Sequence, residues 1–155
     1  MPYSRLSPEF RKFIDGKQAK FRSAGEYLDR NDPTARRPVV RIHPIVRVHP
    51  ATGWKSLFVN RIRTGKIVGL DKPESDVILD YLFDVYEKNI DIQVRFNWTP
   101  GTSALWDNRI TIHNATWDYE GGEERHGTRV ASLAEAPHFD DKAPTRREAL
   151  GLEDK

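Results

Sequence analysis

The stretch of sequence that decides the fold reads WDNRITIHNA at residues 106–115, and RHGTR follows it at residues 125–129. Apolar and polar residues alternate along the first of these segments, which is typical of a β-strand with one buried face. In such a strand His113 faces the side opposite to Ile110 and Ile112, because successive side chains point to alternate faces. The pattern therefore predicts a strand that presents an imidazole on its polar face.

A turn-rich segment at residues 118–124, with Gly-Gly at its centre, is expected to return the chain into a second strand. Arg125 and Arg129 lie four residues apart on that strand and would face the same side, because the strand period is two. We therefore expect one imidazole and two guanidinium groups to converge on one face of a sheet. That combination suits a metal ion beside a dianionic ligand.

The composition is that of a soluble globular protein. The chain has 155 residues, 37% apolar and 31% charged, which is enough for one domain with a modest core. Its net charge of +2 gives no strong attraction to nucleic acid or to an acidic membrane. There is no cysteine, which excludes disulfides, thiolate nucleophiles and zinc–thiolate sites. No segment has the apolar length of a membrane span or of a signal peptide, so we expect a cytoplasmic protein.

Hydrophobic periodicity, capping residues and turn residues predict the remaining elements. In chain order these are a helix over residues 8–22, a loop over 26–38, a strand over 39–48 interrupted at Pro44, a turn over 49–53, a strand over 55–60, a helix from Pro73 to about residue 89, a strand over 90–98 and a short strand over 103–106. Residues 62–70 are ambiguous, with a bend expected at Thr64 and Gly65. From about residue 134 an irregular tail is expected, with a short last helix capped by Thr145 and Glu148.

Strands outnumber helices in this prediction, and most of the strands are short and joined by turns. We therefore expect a mainly β fold with flanking helices, an antiparallel system of jelly-roll type. Trp98, Trp106 and Trp117 are expected in its core. His43 and His49, each followed by proline, are interpreted as turn residues.

The central stretch resembles the distal half of the active-site motif of the iron(II)/2-oxoglutarate-dependent dioxygenases, in the taurine (sulfonate) dioxygenase-like family. The resemblance covers most of the chain. Its residues are Trp106, Asp107, Asn108, Arg109, His113, Ala115, Asp118, Tyr119, Arg125 and Arg129, and it extends to residues 93–95, Ile67, Leu70, 57–60, 49–53 and 6–8. It implies a partial double-stranded β-helix (jelly roll, cupin-like), of which residues 1–155 would form a single C-terminal portion.

The resemblance also implies roles for three residues. His113 is similar to the distal histidine of the family's two-histidine, one-carboxylate iron site. Arg125 is similar to the arginine that pairs with the distal carboxylate of 2-oxoglutarate, and Arg129 to the arginine that meets the anionic group of the substrate. The implied activity is hydroxylation of a small anionic, sulfonate-like substrate by O2, with decarboxylation of 2-oxoglutarate to succinate. A forked guanidinium and a neutral imidazole are chemically suited to these roles.

The sequence departs from the family pattern at the first histidine and its carboxylate, which the family supplies as His-x-Asp or His-x-Glu upstream of the distal histidine. Only His138-Phe139-Asp140 has this spacing, and it lies beyond Arg129 in the expected tail, so we do not expect it to be a ligand pair. One imidazole cannot hold iron(II) facially, so the chain is expected to be incomplete as an enzyme.

Two other hypotheses remain open from the sequence. The chain could be a catalytically inactive remnant of the fold that acts as an anion-binding or protein-binding module, or it could be an unrelated β-rich interaction domain. Asp107 and Arg109 are expected to pair with neighbours and fix the turn before the metal strand. Arg125 and Arg129 have the alternative role of a solvated basic edge. Homo-oligomerisation is left open.

Overall fold

The computed structural model describes residues 1–23, 39–116 and 126–152. The predicted loop at residues 26–38, Trp117 and Arg125 lie outside the described residues. The elements are α1 (Pro8–Ile14), β1 (Gln18–Arg22), β2 (Val40–Pro44), β3 (Val46–Val48), β4 (Lys55–Leu57), β5 (Thr64–Ile67), α2 (Lys72–Glu87) and α3 (Arg146–Ala149), with short 3-10 helices at Tyr3–Arg5 and Ile90–Ile92. Within the described residues, no helix is both long and apolar enough to cross a membrane.

The strands form two antiparallel sheets. In the first, β1 lies between β2 and β5, and Gln18 is opposite Pro44. The register between β1 and β5 shifts between Lys20 and Phe21. In the second, β3 pairs with β4. The two sheets are continuous in sequence through Ile45, which separates β2 from β3, so the predicted interruption of this strand is confirmed one residue after Pro44.

The first helix is half the predicted length. Ser7 caps it, because the backbone amide of Phe10 donates to the Ser7 hydroxyl (3.3 Å). The helix ends at Ile14, and Gly16 follows with φ of 74°, a left-handed conformation that glycine adopts without steric cost. The prediction of helix over residues 8–22 is therefore wrong after Ile14. The residues that follow form β1, in which Ala19 is fully buried.

The second helix, α2, lies within one or two residues of its predicted range. It begins after Asp71, whose backbone amide donates to Glu74 (2.9 Å), and it ends at Glu87 with Lys88 as the C-terminal cap. The residues that it buries, Leu79, Leu82 and Phe83, belong to the apolar core together with Tyr3, Leu6, Ile14, Ala19, Ile45, Val46, Val59 and Ile67. The Ser75 hydroxyl joins the helix to β5 by accepting the buried backbone amide of Ile67 (2.8 Å).

A charged cluster lies beside this core. The Tyr3 hydroxyl donates to one oxygen of Asp15 (2.6 Å), and the Lys55 ammonium donates to the other (2.7 Å). Both donors are buried, and burial raises the pKa of the Tyr3 hydroxyl, an effect that the neighbouring Asp15 reinforces. The carboxylate therefore satisfies two buried polar groups from two different parts of the chain.

Two further predictions before α2 need correction. The predicted strand over residues 55–60 ends at Leu57, as β4. Thr64 and Gly65, expected as a bend, are instead the first residues of β5. The turn before β5 lies earlier, where the backbone amides of Arg63 and Thr64 donate to the Asn60 carbonyl.

The largest difference from the sequence-based expectation lies at residues 90–113. The predicted strand over 90–98 begins instead as a 3-10 helix and continues without a β-ladder. The predicted strands at 103–106 and within 106–115, and the second strand expected to carry Arg129, are also absent from the described residues. Val94 is 88% exposed, and Trp98 and Trp106 are exposed instead of forming part of the core. A strand requires a partner for its backbone groups. No other described segment pairs with these residues, so their alternating pattern does not become a sheet.

The tail is irregular as predicted, but it is fixed to the sheets. The backbone amides of Val48 and Lys55 donate to the carbonyls of His138 and Pro144 (2.9 Å each). The short last helix is confirmed as α3. The predicted capping box at its start is also confirmed, with the Thr145 amide donating to Glu148 (2.6 Å) and the Glu148 amide donating to the Thr145 hydroxyl (3.2 Å).

Candidate active site

The centre of the candidate site is a tight turn at residues 107–111. The Asp107 carboxylate accepts hydrogen bonds from the backbone amide of Arg109 (2.9 Å) and from its guanidinium (2.6 Å at the shortest contact). The Asp107 carbonyl accepts the amide and the hydroxyl of Thr111 (3.1 and 2.7 Å). The expectation that Asp107 and Arg109 fix the turn before His113 is therefore confirmed.

A buried histidine holds the same carboxylate from the other side. His49 lies directly after β3 and is 4% exposed. Its Nε2 is 3.0 Å from Asp107 Oδ2, and its Nδ1 is 3.1 Å from the Thr52 hydroxyl. The interpretation of His49 as a turn residue is correct about its place at the start of the turn, but it misses this contact across 58 residues. The interpretation of His43 as a turn residue is wrong, because it lies in β2 opposite Ala19, and its ring is near those of Phe21 and Phe58 instead of Asp107.

A second set of contacts holds Arg109. Its guanidinium donates to Glu135 (3.3 Å), and the other oxygen of Glu135 accepts the guanidinium of Arg47, a residue of β3 that is only 2% exposed. The hydrogen bonds from Arg109, assisted by the one from His49, hold the pKa of the Asp107 carboxyl well below its usual range. The same partnership raises the pKa of Arg109. The turn is thus held directly by His49, the residue after β3, and through Glu135 by Arg47 within β3.

The predicted metal ligand, His113, follows this turn and is exposed. Its ring centroid is 5.1 Å from that of Trp106, with an angle of 61° between the ring planes. Thr111, two residues before His113, is hydrogen-bonded back to the Asp107 carbonyl. The structure therefore brings Trp106, Asp107 and His113 together around one turn.

The structure does not join the other two predicted site residues to His113. Arg129 is exposed, and no hydrogen bond, ion pair or ring contact links it to His113 within residues 1–23, 39–116 and 126–152. Arg125 lies outside the described residues, so the convergence of the imidazole with two guanidinium groups stays a prediction.

The described residues do not complete an iron site. In that part of the chain, no group of three or more His, Asp or Glu side chains is placed to hold a metal ion. A neutral imidazole such as that of His113 is a suitable ligand for iron(II), but the facial geometry also needs a second histidine and a carboxylate. The His138 backbone carbonyl accepts the amide of Val48 in β3, and the Phe139 ring packs against the core.

Comparisons with known proteins agree with the resemblance in the sequence. The sequence model of the family described as "Taurine catabolism dioxygenase TauD, TfdA family" matches residues 3–131. An alpha-ketoglutarate-dependent dioxygenase of Penicillium expansum, cnsM, is 44% identical over 141 residues, which are 87% of this chain and 39% of that protein. An alpha-ketoglutarate-dependent sulfonate dioxygenase of Saccharomyces cerevisiae is 43% identical over 102 residues, 66% of this chain and 25% of that protein.

A solved structure of a taurine dioxygenase from Burkholderia xenovorans superposes with a TM-score of 0.59 at 35% identity. The match covers 70% of this chain and 35% of that one. The matched structure has the jelly-roll fold of this class of dioxygenase, which confirms the predicted fold class. The chain belongs to the taurine catabolism dioxygenase TauD, TfdA family. It spans about two fifths of the length of the most similar of these relatives.

Proposed function

We propose that this chain forms the C-terminal portion of the catalytic domain of an iron(II)/2-oxoglutarate-dependent dioxygenase that hydroxylates a small anionic, sulfonate-like substrate. The observation that carries the proposal is the turn at residues 107–111, which is fixed to β3 and leaves His113 exposed immediately after it. The family match over residues 3–131 includes this turn and the two arginines that follow.

In this proposal His113 supplies one imidazole ligand, and the second histidine and the carboxylate come from residues other than those described here. Iron(II) with 2-oxoglutarate and O2 would supply the oxidising chemistry of the reaction. The contribution of this chain is positional. Asp107 and its partners fix the turn, and the ring of Trp106 restricts the imidazole of His113 on one side.

Arg125 and Arg129 are proposed to bind the two anions of the reaction. Arg125 would pair with the distal carboxylate of 2-oxoglutarate, and Arg129 with the anionic group of the substrate. Guanidinium stays charged across the physiological pH range and binds a carboxylate or sulfonate through two parallel hydrogen bonds, which a lysine ammonium cannot reproduce. Residues 126–129 form no strand in the structure, so the shared strand face predicted for the two arginines does not support these roles. The support is that the family match over residues 3–131 includes both arginines.

The proposal of a sulfonate-like substrate is supported by the relatives, of which one is named a sulfonate dioxygenase and another a taurine dioxygenase. Binding of nucleic acid or of a membrane is not part of the proposal, given the net charge of +2. A cytoplasmic location stays a prediction.

The test is a titration of the 155-residue chain with 2-oxoglutarate and with taurine, followed by NMR. Resonances of residues 106–133 should shift with each ligand. Arg125→Ala should abolish the binding of 2-oxoglutarate, and Arg129→Ala should weaken only that of taurine. Arg63→Ala is the matched control, because Arg63 is an exposed arginine in the turn before β5 and should leave both affinities unchanged.

Iron is then added anaerobically to the complex with 2-oxoglutarate. The described residues of the 155-residue chain supply only one of the three ligands, so a charge-transfer band is not expected from this chain alone. In a longer chain that also supplies the second histidine and the carboxylate, a weak visible charge-transfer band should appear. It should be lost in His113→Ala but kept in His126→Ala, which removes another exposed histidine. If neither ligand shifts residues 106–133, and the longer chain gives neither the band nor succinate in air, the proposal is refuted. The inactive remnant of the fold would then be the better account.

A further inference from the structure

We propose that His49 is a positioning residue for His113: its buried imidazole holds the carboxylate of Asp107 and, through Asp107, the turn that places the His113 ring. The inference rests on the proposed function only in the role that it gives to His113. The mechanical link between the two histidines is carried by separate observations on the described residues.

Both nitrogens of the His49 ring are occupied, which fixes its orientation. The pKa of the Asp107 carboxyl is held low, so this group is a carboxylate and can only accept a hydrogen bond. The Nε2 atom, 3.0 Å away, must therefore carry the hydrogen. The Thr52 hydroxyl accepts the backbone amide of Trp54 (3.4 Å), so it is free to donate its own hydrogen to Nδ1 (3.1 Å).

The burial of His49 distinguishes this contact from a surface ion pair. The side chain of His49 is 5% exposed, whereas that of Asp107 is 32% exposed. A buried Nε2–H without an acceptor would carry its full desolvation penalty. The carboxylate is consequently held at one point against the end of β3.

The position of Asp107 then determines the position of His113. The Asp107 carbonyl holds Thr111 by two hydrogen bonds, and Thr111 is two residues before His113. Asp107 also follows Trp106 directly in the chain, and the centroid of the Trp106 ring is 5.1 Å from that of the His113 ring. A displacement of Asp107 would therefore move both the backbone that carries the imidazole and the ring that restricts it.

The test measures the contact between the Trp106 and His113 rings as a nuclear Overhauser effect in the 155-residue chain without metal. His49→Leu removes both hydrogen bonds and should abolish the effect. His49→Gln keeps a donor near the position of Nε2 and should restore it. His43→Leu is the matched control, because His43 is a histidine six residues earlier that contacts Phe21 and Phe58 and not Asp107.

A ring contact that survives in His49→Leu, with the core resonances unchanged, would overturn the proposal. If His49→Leu does not fold, the wild-type chain still provides a test, since its nitrogen spectrum must show the hydrogen of His49 on Nε2. A hydrogen found only on Nδ1 would exclude donation to Asp107. Because no iron is present, loss of the ring contact supports the positioning role even if the iron titration fails, and only the role of His113 as a ligand would then be refuted.

Discussion

Replacing Asp107 by asparagine is the sharpest perturbation of the candidate site, because it removes a charge while keeping the size of the side chain. The carboxylate of Asp107 serves donors on two sides, the imidazole of His49 and the guanidinium and backbone amide of Arg109. An asparagine side chain has only one acceptor oxygen, and its amide group would face one of these donors. We therefore expect Asp107→Asn to lower the free energy of unfolding.

The size of the expected loss in the free energy of unfolding follows from the burial of the two donor residues, His49 and Arg109. Arg109 is partly exposed, so solvent screens its ion pair and little of the effect comes from it. His49 is buried, and leaving a buried donor without its acceptor costs about 2 kcal/mol. For a chain of this size such a loss lowers Tm by about 6 °C.

The assay is urea unfolding of the wild type and of Asp107→Asn over a range of pH. The folded-state pKa of Asp107 is depressed, so its stabilisation is present above the ordinary value of 3.8 and is lost as the pH falls below it. The two proteins should therefore differ at pH 7 and become similar under acid conditions. Equal stability at pH 7, or a difference that does not shrink in acid, would refute the assignment of these contacts.

Three further predictions concern the described residues outside the turn. Ser75→Ala should cost about 1–2 kcal/mol in urea unfolding, because it leaves the buried amide of Ile67 without its acceptor; stability equal to the wild type would contradict the contact. Asp15→Asn should cost about 3 kcal/mol by the same measurement, because it leaves the buried ammonium of Lys55 without its counter-charge; a loss typical of a surface substitution would show that the ammonium reaches water. Trp98 is 52% exposed, so Trp98→Phe should remove a large part of the tryptophan fluorescence that acrylamide quenches. If the quenched fraction is unchanged in the variant, Trp98 is buried.

The elements that the sequence predicts correctly are those determined by contacts close in the chain. The capping box of α3 joins residues three apart, and the helix at Lys72–Glu87 combines a proline in its first turn with regular apolar spacing. The missed end of α1 is also local. Gly16 marks the end of the helix, but apolar residues at helical spacing continue to Phe21 and favour a longer helix. In the structure Phe21 belongs to β1 and packs against Phe58.

The contacts that no local pattern predicts are those of the candidate site. His49 and Asp107 are 58 residues apart, and Arg47 and Glu135 are 88 residues apart. Neither pair lies on one element or in one turn, so periodicity and capping give no signal for it. The only sequence signal was that the segments around His49 and Asp107 both belong to the family resemblance, which marks them as important without showing that they touch.

The segment at residues 93–116 differs physically from the sheets to which it is attached. Its apolar side chains are largely exposed, as Leu105 and Ile112 show, so burial of apolar surface contributes little to its position. The described contacts that hold its turn are instead polar, and they run from Asp107 to His49 and from Arg109 through Glu135 to the buried Arg47. Since hydrogen bonds fix direction and distance more narrowly than apolar packing does, a turn held in this way can place one imidazole without a completed sheet around it. The alternating sequence of this segment is suited to a strand, and its unpaired state shows that strand formation depends on a partner that local sequence cannot supply.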